Sequence, residues 1–281
     1  MTDPAPRRIR RILVALDASA DSLAGLEAAV QLAAGLRAEL LGIFVEETDL
    51  LRAGRLPSSR EVPFFEGEPR QLEAAELERQ IRALAKRARQ SLESAARRSQ
   101  VSWSFRTVRG RPARELSAAA EEADLVTVGA TGRSPRRGPG STVRELVRVL
   151  PRPVLVLRQG APLGPTVQVV HDGSEAGWEA VRTGAALCTR EGARLTVLLA
   201  SEAPEEARAL RQHTEQRLAE AGLSADYRLL PGAGVTGICA ALADQDGGLL
   251  VAPRPLVHGE TDDLGRLLRS AGCPILLVGG G

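Results

Sequence analysis

The stretch Arg11-Ile-Leu-Val-Ala-Leu-Asp17-Ala-Ser19 recurs, 155 residues further along the chain, as Thr166-Val-Gln-Val-Val-His-Asp172-Gly-Ser174. Both copies are apolar runs rich in Val, Leu or Ile that lead into an aspartate and a serine, a pattern typical of a buried strand ending in a turn. Further matches keep the same order: Leu40–Val45 with Leu195–Ala200, Phe105-Arg106 with Tyr227-Arg228, Gly110 with Gly232, and Arg152–Leu157 with Cys273–Val278. The sequence is therefore a duplication.

The length of the repeat predicts two domains. A unit of about 120–155 residues is long enough to hold its own hydrophobic core. The glycines and prolines of Gln159–Pro165 separate two strand-like runs and indicate the boundary. We therefore expect one domain over residues 1–160 and a second over residues 161–281.

Apolar runs and helical patterns alternate in each half. The predicted strands are Ile12–Leu16, Leu40–Val45, Val101–Val108, Leu125–Val128 and Val154–Leu157, then Val167–Val170, Leu195–Leu199, Ala225–Leu230, Leu249–Val251 and Ile275–Val278. The predicted helices are Ser22–Leu36, Arg70–Arg98, Pro112–Glu122 and Thr142–Leu150, then Glu175–Arg190, Glu205–Ala221, Val235–Ala243 and Asp262–Ser270. This alternation predicts an α/β protein with two tandem, doubly wound, five-stranded parallel-sheet domains of Rossmann-like type.

Composition excludes several classes of protein. The chain of 281 residues is 43% hydrophobic and 26% charged, as globular proteins are, and it has no apolar run long enough to span a membrane. The basic segment Met1–Arg11 precedes an apolar run too short for a signal peptide, so we expect a cytoplasmic protein. A net charge of +2 and only 2% aromatic residues disfavour nucleic-acid binding. The cysteines, Cys188, Cys239 and Cys273, lack metal-site or disulfide spacing, and we expect them to pack as small apolar side chains.

A glycine-rich segment runs from Gly129 to Thr142, between a strand and a helix. Its glycines would let backbone N–H groups approach an anion, and a helix start at Ser141 and Thr142 favours negative charge. Basic side chains suited to phosphate lie between them at Arg133, Arg136 and Arg137. The spacing matches neither a P-loop nor the dinucleotide fingerprint. The segment predicts a phosphate-bearing ligand, the alternative being an ordinary turn with a serine cap.

These motifs resemble those of the universal stress protein family, and the resemblance covers nearly the whole chain twice. It is carried by Ile12–Ser19, Gly110–Pro112, Asp124–Gly132, Gly140–Thr142 and Pro153–Leu157. The ATP-binding members of the family carry Gly-x2-Gly-x9-Gly-Ser/Thr. Here Gly129 and Gly132 fit, and seven residues separate Gly132 from Gly140, two fewer than the family spacing.

The resemblance implies binding of ATP, or of ADP or AMP, with Mg²⁺ as a candidate companion of the phosphates. Ala15 and Asp17 would lie near the adenine and ribose, and Val45 would present backbone groups to the adenine. Gly129 and Gly132 would pass beneath the ribose and first phosphates. The outer phosphates would be held by Gly140, Ser141 and Thr142, with Arg133 nearby. For Asp17, the alternative is a helix cap or a turn residue.

The second half lacks this segment. In its place stands Val251–Asp263, where two prolines remove N–H donors and Glu260, Asp262 and Asp263 introduce negative charge. We therefore expect no nucleotide triphosphate in the second half. His171 and His258 lack a third ligand at metal spacing and are expected to be packing or surface residues.

The last strands, Val154–Leu157 and Ile275–Val278, are short and apolar and would need a partner at a sheet edge. Universal stress proteins commonly dimerise through such strands, so the resemblance implies an internal pseudo-dimer, with a homodimer of whole chains left open. The segment Glu47–Pro69 is expected to be a long loop whose Phe64 and Phe65 pack locally, or against the other half or a second chain, and a lid over the ligand is left open.

The preferred hypothesis is a nucleotide-binding stress-response regulator whose ligand site lies in the first half. No nucleophile, general base or metal cluster is evident, so rapid catalysis is not expected, while slow ATP hydrolysis is left open. One alternative is an interaction module of the same fold that binds no nucleotide. Another is an enzyme that acts on a nucleotide or a small phosphorylated substrate.

Overall fold

The computed structural model describes residues 8–53, 60–61, 70–71, 74–132, 138–188, 193–201, 203–230, 232, 234–242, 248–257 and 262–279. The elements of the first half are β1 (Arg11–Leu16), α1 (Ala20–Leu36), β2 (Glu39–Glu47), α2 (Thr48–Ala53), β3 (Arg60–Glu61), β4 (Arg70–Gln71), α3 (Ala74–Arg98), β5 (Trp103–Gly110), α4 (Pro112–Ala120), β6 (Leu125–Gly129), α5 (Ser141–Val149) and β7 (Val154–Leu157). Those of the second half are β8 (Leu163–His171), α6 (Glu175–Leu187), β9 (Arg194–Leu199), α7 (Pro204–Glu220), β10 (Asp226–Leu229), α8 (Gly234–Leu242), β11 (Gly248–Pro253), a short 3₁₀ helix (Arg254–Val257), α9 (Asp263–Ser270) and β12 (Ile275–Val278).

Within the described part of the chain, the strands of both halves join into one ten-stranded sheet in the order β10-β9-β8-β11-β12-β7-β6-β1-β2-β5. Each half contributes five parallel strands in which the first strand of the half lies at the centre. The predicted α/β class with parallel, doubly wound halves is confirmed. The short antiparallel pair β3–β4 is separate from this sheet.

The two halves meet at the pair of strands that the sequence predicted. Strand β12 pairs with β7 in antiparallel fashion, with Leu276 opposite Leu155. Every side chain of both strands is at most 1% exposed. Burying a Val, Leu or Ile side chain contributes about 1.5–3 kcal/mol, so neither strand is a free edge. The predicted internal pseudo-dimer is confirmed.

Two layers of helices cover the sheet. Helices α1, α3 and α6 pack on one face, and α4, α5, α8 and α9 pack on the other. Side chains of β7 and β12 alternate between the faces, so each hydrophobic core continues from one half into the other.

Arginines from each half cap a helix of the other half. Nη2 of Arg158 donates to the carbonyl of Ala271, at the end of α9, over 3.3 Å. Arg254, only 1% exposed, donates from Nη1 to the carbonyl of Leu150, at the end of α5, and from Nη2 to that of Arg152 over 2.7 Å. A cation at a helix C-terminus complements the helix dipole, so these contacts fix the halves against each other.

Both halves begin their first helix with the same cap. Ser19 accepts a hydrogen bond from the backbone nitrogen of Ser22 at 3.2 Å, and Ser174 accepts one from that of Gly177 at 3.0 Å. The preceding residues, Ala18 and Gly173, both have positive φ, 62° and 81°. The turn that joins strand to helix is therefore conserved between the halves, although only the second copy uses glycine for it.

Candidate functional site

A cavity of about 490 Å³ opens at the carboxyl end of the first half of the sheet. There β1 lies between β2 and β6. Helix α3, which comes after β2, packs on one face of the sheet, and α5, which comes after β6, packs on the other. This reversal of the strand order is where ligands bind in open parallel sheets. The cavity brings together every predicted site residue that the structure describes: Ala15, Asp17, Val45, Gly129, Gly132, Gly140, Ser141 and Thr142. Arg133 lies outside the described residues.

One end of the cavity is made of backbone. Helix α5 starts after Gly140, whose N–H donates to the carbonyl of Ala130 over 2.9 Å. The first N–H groups of any helix lack an acceptor within it, and the N-cap residue Gly140 has no side chain that could supply one. Gly138, with φ of 108°, is in a conformation that other residues rarely adopt. This end therefore offers N–H donors and the positive end of a helix dipole to an anion.

The glycines keep this end of the cavity open. A Cβ atom placed on Gly132 would lie 3.6 Å from Oδ2 of Asp17, and one on Gly140 would lie 3.7 Å from the nitrogen of Gly132. These are ordinary contact distances, so larger side chains here would take up ligand space without colliding with the backbone. Gly129 differs, because its Cβ would lie 2.9 Å from the nitrogen of Ser22. That glycine lets α1 approach β6 closely.

The opposite end of the cavity is apolar. Its lining side chains come from β2, α2, α3, α4 and β6: Ile43, Phe44, Val45, Leu50, Ile81, Pro112, Leu116 and Val128. Leu50 belongs to α2, which begins the segment Glu47–Pro69 that was expected to be a loop. Leu50 and Ile81 were not predicted as site residues, because no sequence motif marks them. Phe64 and Phe65 lie outside the described residues.

Asp17 serves the turn and also lines the cavity. Its Oδ1 accepts a hydrogen bond from the backbone nitrogen of Ser19 at 2.9 Å, and its own nitrogen donates to Oγ of Ser22 over 3.1 Å. Its Oδ2 faces Gly132, since it would lie 3.6 Å from a Cβ atom placed on that glycine. The two roles considered for Asp17 are therefore compatible, since each involves a different oxygen.

Asp21, which was not predicted as a site residue, is buried at 6% exposure. Its Oδ2 accepts hydrogen bonds from Thr131, and its Oδ1 accepts one from the nitrogen of Gln159 at 2.8 Å. Asp21 thus holds the turn that follows Gly129. A comparison of the two repeats could have marked Asp21, because the residue that matches it in the second half, which lacks the glycine-rich segment, is Ala176.

The equivalent region of the second half has a different construction. The register of β8 and β11 places Pro253 and Arg254 at the positions of Gly129 and Ala130. Pro255 follows at the position of Thr131 and has no N–H to donate. The guanidinium of Arg254 points to the first half, as described above.

In the sequence, counted back from the matched last strands, Asp262 and Asp263 align with Ser141 and Thr142, and Asp262 is the N-cap residue of α9. The carboxylate of Asp262 lies 2.9 Å from Nη2 of Arg144 and 3.2 Å from Nη1 of Arg269. Partial burial tends to raise the pKa of Asp262, but hydrogen bonds from Arg269 and Arg144 outweigh it and hold the pKa below its usual value. This acid group therefore binds arginines on both sides of the junction. His258 and Glu260 lie outside the described residues.

His171 is a core residue. It is fully buried, and its ring packs edge-on against Trp178 with centroids 4.5 Å apart. Neither ring nitrogen has a hydrogen-bond partner among the described residues. Its pKa is lowered to about 4. Burial is the main cause, Asp172 opposes the shift, and His213 adds to it. His171 is therefore neutral at pH 7 and fits the expected packing role.

Three further observations on the described residues concern a cysteine thiol, metal-binding groups and membrane-spanning helices. Cys273 is buried, and burial raises the pKa of its thiol to about 11, so it is inert at neutral pH. No group of three His, Cys, Asp or Glu side chains in the described ranges is arranged to hold a metal ion. None of the helices that the structure describes is both long and apolar enough to cross a membrane.

Comparison with known proteins identifies the family. The model of the universal stress protein family matches residues 8–158, which include β1 to β7 and the whole cavity. The chain belongs to the universal stress protein family. No curated protein matches the sequence.

Solved structures share the fold over the full length. A universal stress protein from Archaeoglobus fulgidus superimposes with a TM-score of 0.72 at 16% identity, covering 96% of both chains. A Pseudomonas aeruginosa protein of unknown function superimposes with a TM-score of 0.62 at 16% identity, covering 96% of this chain and 92% of the other. The tandem arrangement therefore recurs in full-length structures of the same fold.

Proposed function

We propose that this universal stress protein binds ATP, or the related nucleotides ADP or AMP, in the cavity of residues 1–160. Residues 161–281 form the second domain, which holds no nucleotide triphosphate. Binding would change the shape or the partner affinity of the protein, which would act as a ligand-dependent regulator of a stress response. One observation carries the proposal: a single cavity at the strand-order reversal collects the glycines, the aspartate and the helix start of the family motif.

The two ends of the cavity suit the two ends of an adenine nucleotide. The apolar end between Val45, Ile81 and Leu116 can accept a flat, weakly polar ring. The end at Gly140 and Ser141 offers backbone donors and a helix dipole to phosphate. A volume of about 490 Å³ lies within the range of small-molecule sites.

The resemblance to the family gives individual residues of the cavity the following proposed roles. The backbone of Val45 and the small side chain of Ala15 would contact the adenine, and Asp17 would accept hydrogen bonds from ribose hydroxyls. Gly129 and Gly132 would lie under the ribose and first phosphate. The remaining phosphates would contact the helix start and the adjacent arginine, that is Gly140, Ser141, Thr142 and Arg133. Mg²⁺ would be held by the phosphates, since the described residues offer no ligand cluster of their own.

Two measurements test nucleotide binding. Native mass spectrometry of the purified protein is expected to show a bound adenosine phosphate. Calorimetric titration with ATP, ADP and AMP is expected to give a Kd that rises at least tenfold, about 1.4 kcal/mol, in Gly132→Val and Ser141→Glu. The first variant fills ligand space and the second puts a carboxylate at the phosphate position.

Matched controls make the titration decisive. Gly272→Val adds the same side chain where a Cβ meets nothing within 4 Å, and Ser94→Glu adds the same charge on the exposed face of α3. Both should bind like the wild type. Equal affinity in all five proteins would reject the site, and no binding by the wild type would favour an interaction module without a nucleotide.

An assay of ATP turnover with Mg²⁺ addresses the enzyme alternative. We expect turnover no faster than slow hydrolysis, and a rate abolished by Ser141→Glu but not by Ser94→Glu would assign it to this site. The cytoplasmic location remains a prediction, which fractionation of cells would test.

A further inference from the structure

The phosphate end of the cavity is tied to the second half through Arg144. Nε of Arg144 donates to the carbonyl of Pro139 over 3.3 Å, and its Nη2 donates to Oδ1 of Asp262 over 2.9 Å. The other oxygen of Asp262 accepts a hydrogen bond from Nη1 of Arg269 at 3.2 Å. A carboxylate of the second half thus orients the guanidinium that holds the loop of the first half.

The carbonyl that Arg144 holds lies next to the predicted phosphate contacts. Pro139 directly precedes Gly140, whose N–H donates to Ala130 and whose carbonyl accepts from the nitrogen of Arg144 at 3.1 Å. The position of Pro139 therefore affects where α5 begins and where its first N–H groups point. Arg254 holds the other end of α5, so the second half contacts this helix at both ends.

The internal repeat relates Asp262 to a residue of the first half. Asp262 occupies the position that corresponds to Ser141, the residue expected to contact phosphate in the first half. In the second half that position carries an acid, which binds Arg144 across the junction. This position therefore carries a serine in the first half and an aspartate that pairs with Arg144 in the second half.

We propose that Asp262 is a positioning residue for the nucleotide site: through Arg144 it holds the Pro139–Gly140 loop in the conformation that presents the start of α5 to phosphate. This inference rests on the proposed nucleotide binding of the first half. The ion pair is about half exposed, with 49% of the Arg144 side chain and 41% of the Asp262 side chain accessible, so the effect is modest.

A purely electrostatic role predicts the opposite result. Asp262 is a negative charge on the phosphate side of the cavity, and its removal would then strengthen binding of a triphosphate. The two roles therefore differ in the sign of their effect, while salt reduces both, with a Debye length of about 3 Å at 1 M against about 8 Å at 0.15 M, because the Arg144–Asp262 pair is about half exposed.

The test is calorimetric titration of Asp262→Asn with ATP and with adenosine, at low and high salt. We expect the Kd for ATP to rise about fivefold at low salt and by a smaller factor at high salt, and the Kd for adenosine, which lacks phosphate, to stay within about twofold. Asp262→Glu should recover most of the ATP affinity. Asp263→Asn, which removes a neighbouring carboxylate that pairs with Arg266 within α9, should bind both ligands like the wild type.

Three results would overturn the inference: tighter ATP binding, unchanged ATP binding, or equal losses for ATP and adenosine. Hydrogen exchange in the ligand-free protein decides the case independently. The Gly140 amide should exchange about fivefold faster in Asp262→Asn than in Asp263→Asn, and equal rates would reject the positioning role. If the wild type bound no nucleotide, the proposed function would fail while this exchange experiment still tested the contact.

Discussion

The carboxylate of Asp21 accepts two hydrogen bonds from Thr131 at a single oxygen, at 2.9 Å from its backbone nitrogen and 2.6 Å from its Oγ1. This buried contact joins the start of α1 to the turn after β6, two segments separated by 110 residues of sequence. The second half has Ala176 and Pro255 at these positions, so it has lost the acceptor and the N–H donor together. The contact therefore accompanies the glycine-rich turn that lines the cavity.

Asp21→Ala should lower the free energy of unfolding by about 3 kcal/mol, because it leaves the donors of Thr131 and Gln159 without their acceptor. It should also weaken nucleotide binding, because the turn before Gly132 loses its anchor. Chemical denaturation and titration with ATP measure the two effects.

Thr131→Val is the partial variant, since it keeps the backbone donor and removes only the hydroxyl. We expect it to cost about 1 kcal/mol. An Asp21→Ala protein as stable as the wild type would show that the contact contributes nothing.

Ala18→Gly should stabilise the protein. Ala18 has φ of 62°, a left-handed conformation that costs a residue with a Cβ about 1–2 kcal/mol. Glycine relieves this cost and loses about 0.5–1 kcal/mol in backbone entropy, so a net gain of about 0.5 kcal/mol is expected.

The matched reciprocal change is Gly173→Ala, at the equivalent turn with φ of 81°. It should destabilise by about 1 kcal/mol, since the Cβ would lie 3.7 Å from Leu210 and the penalty is conformational. Melting temperatures that moved in the same direction for both variants would contradict this interpretation.

His171 should make the protein sensitive to acid. Burial lowers its pKa to about 4 in the folded chain, below the ordinary value of 6.5 expected after unfolding. Between these values the unfolded chain binds more protons, so stability falls as the pH falls from 6.5 towards 4. The contribution of this group is a loss of about 2 kcal/mol at pH 5 relative to pH 7.5.

His171→Leu places at this position the residue found in the first half, Leu16. Its melting temperature should decline less between pH 7.5 and pH 5 than that of the wild type. The control is His213→Asn at the exposed neighbour of Trp178, which should retain most of the wild-type decline, because burial is the largest cause of the lowered pKa of His171. Parallel pH curves for wild type and His171→Leu would remove His171 as the cause.

Arg254→Ala should weaken the junction between the halves. The variant leaves two carbonyls without donors and removes a buried side chain, for an expected loss of about 3 kcal/mol. Burial itself lowers the pKa of Arg254, with Glu179 opposing the shift, but an arginine remains charged.

Scanning calorimetry measures this effect. The melting temperature of Arg254→Ala should fall by about 6–9 °C, while Arg208→Ala, at an exposed pair with Glu205, should move it by less than about 2 °C. Equal shifts for the two variants would contradict a structural role for the buried arginine.

Periodicity and the internal repeat sufficed to predict the α/β class and the parallel halves, because these signals are local or recur at matched positions. The same signals predicted Asp17, Val45 and Gly129 at one end of the sheet, because the carboxyl ends of parallel strands meet there. The pairing of Val154–Leu157 with Ile275–Val278 was implied by the resemblance to the family. The sequence did not predict α2, which begins a segment rich in glycine and proline.

Tertiary structure alone decided which side chains meet across the fold. The contacts of Asp21 with Thr131, of Arg254 with Leu150 and of Asp262 with Arg144 each join residues more than 100 positions apart. No periodic pattern encodes such contacts, since they depend on how helices dock on the sheet and on how the two halves align along β7 and β12. Sequence thus determined the elements and the edge at which a ligand site could form. The docking of those elements decided which polar groups support that site.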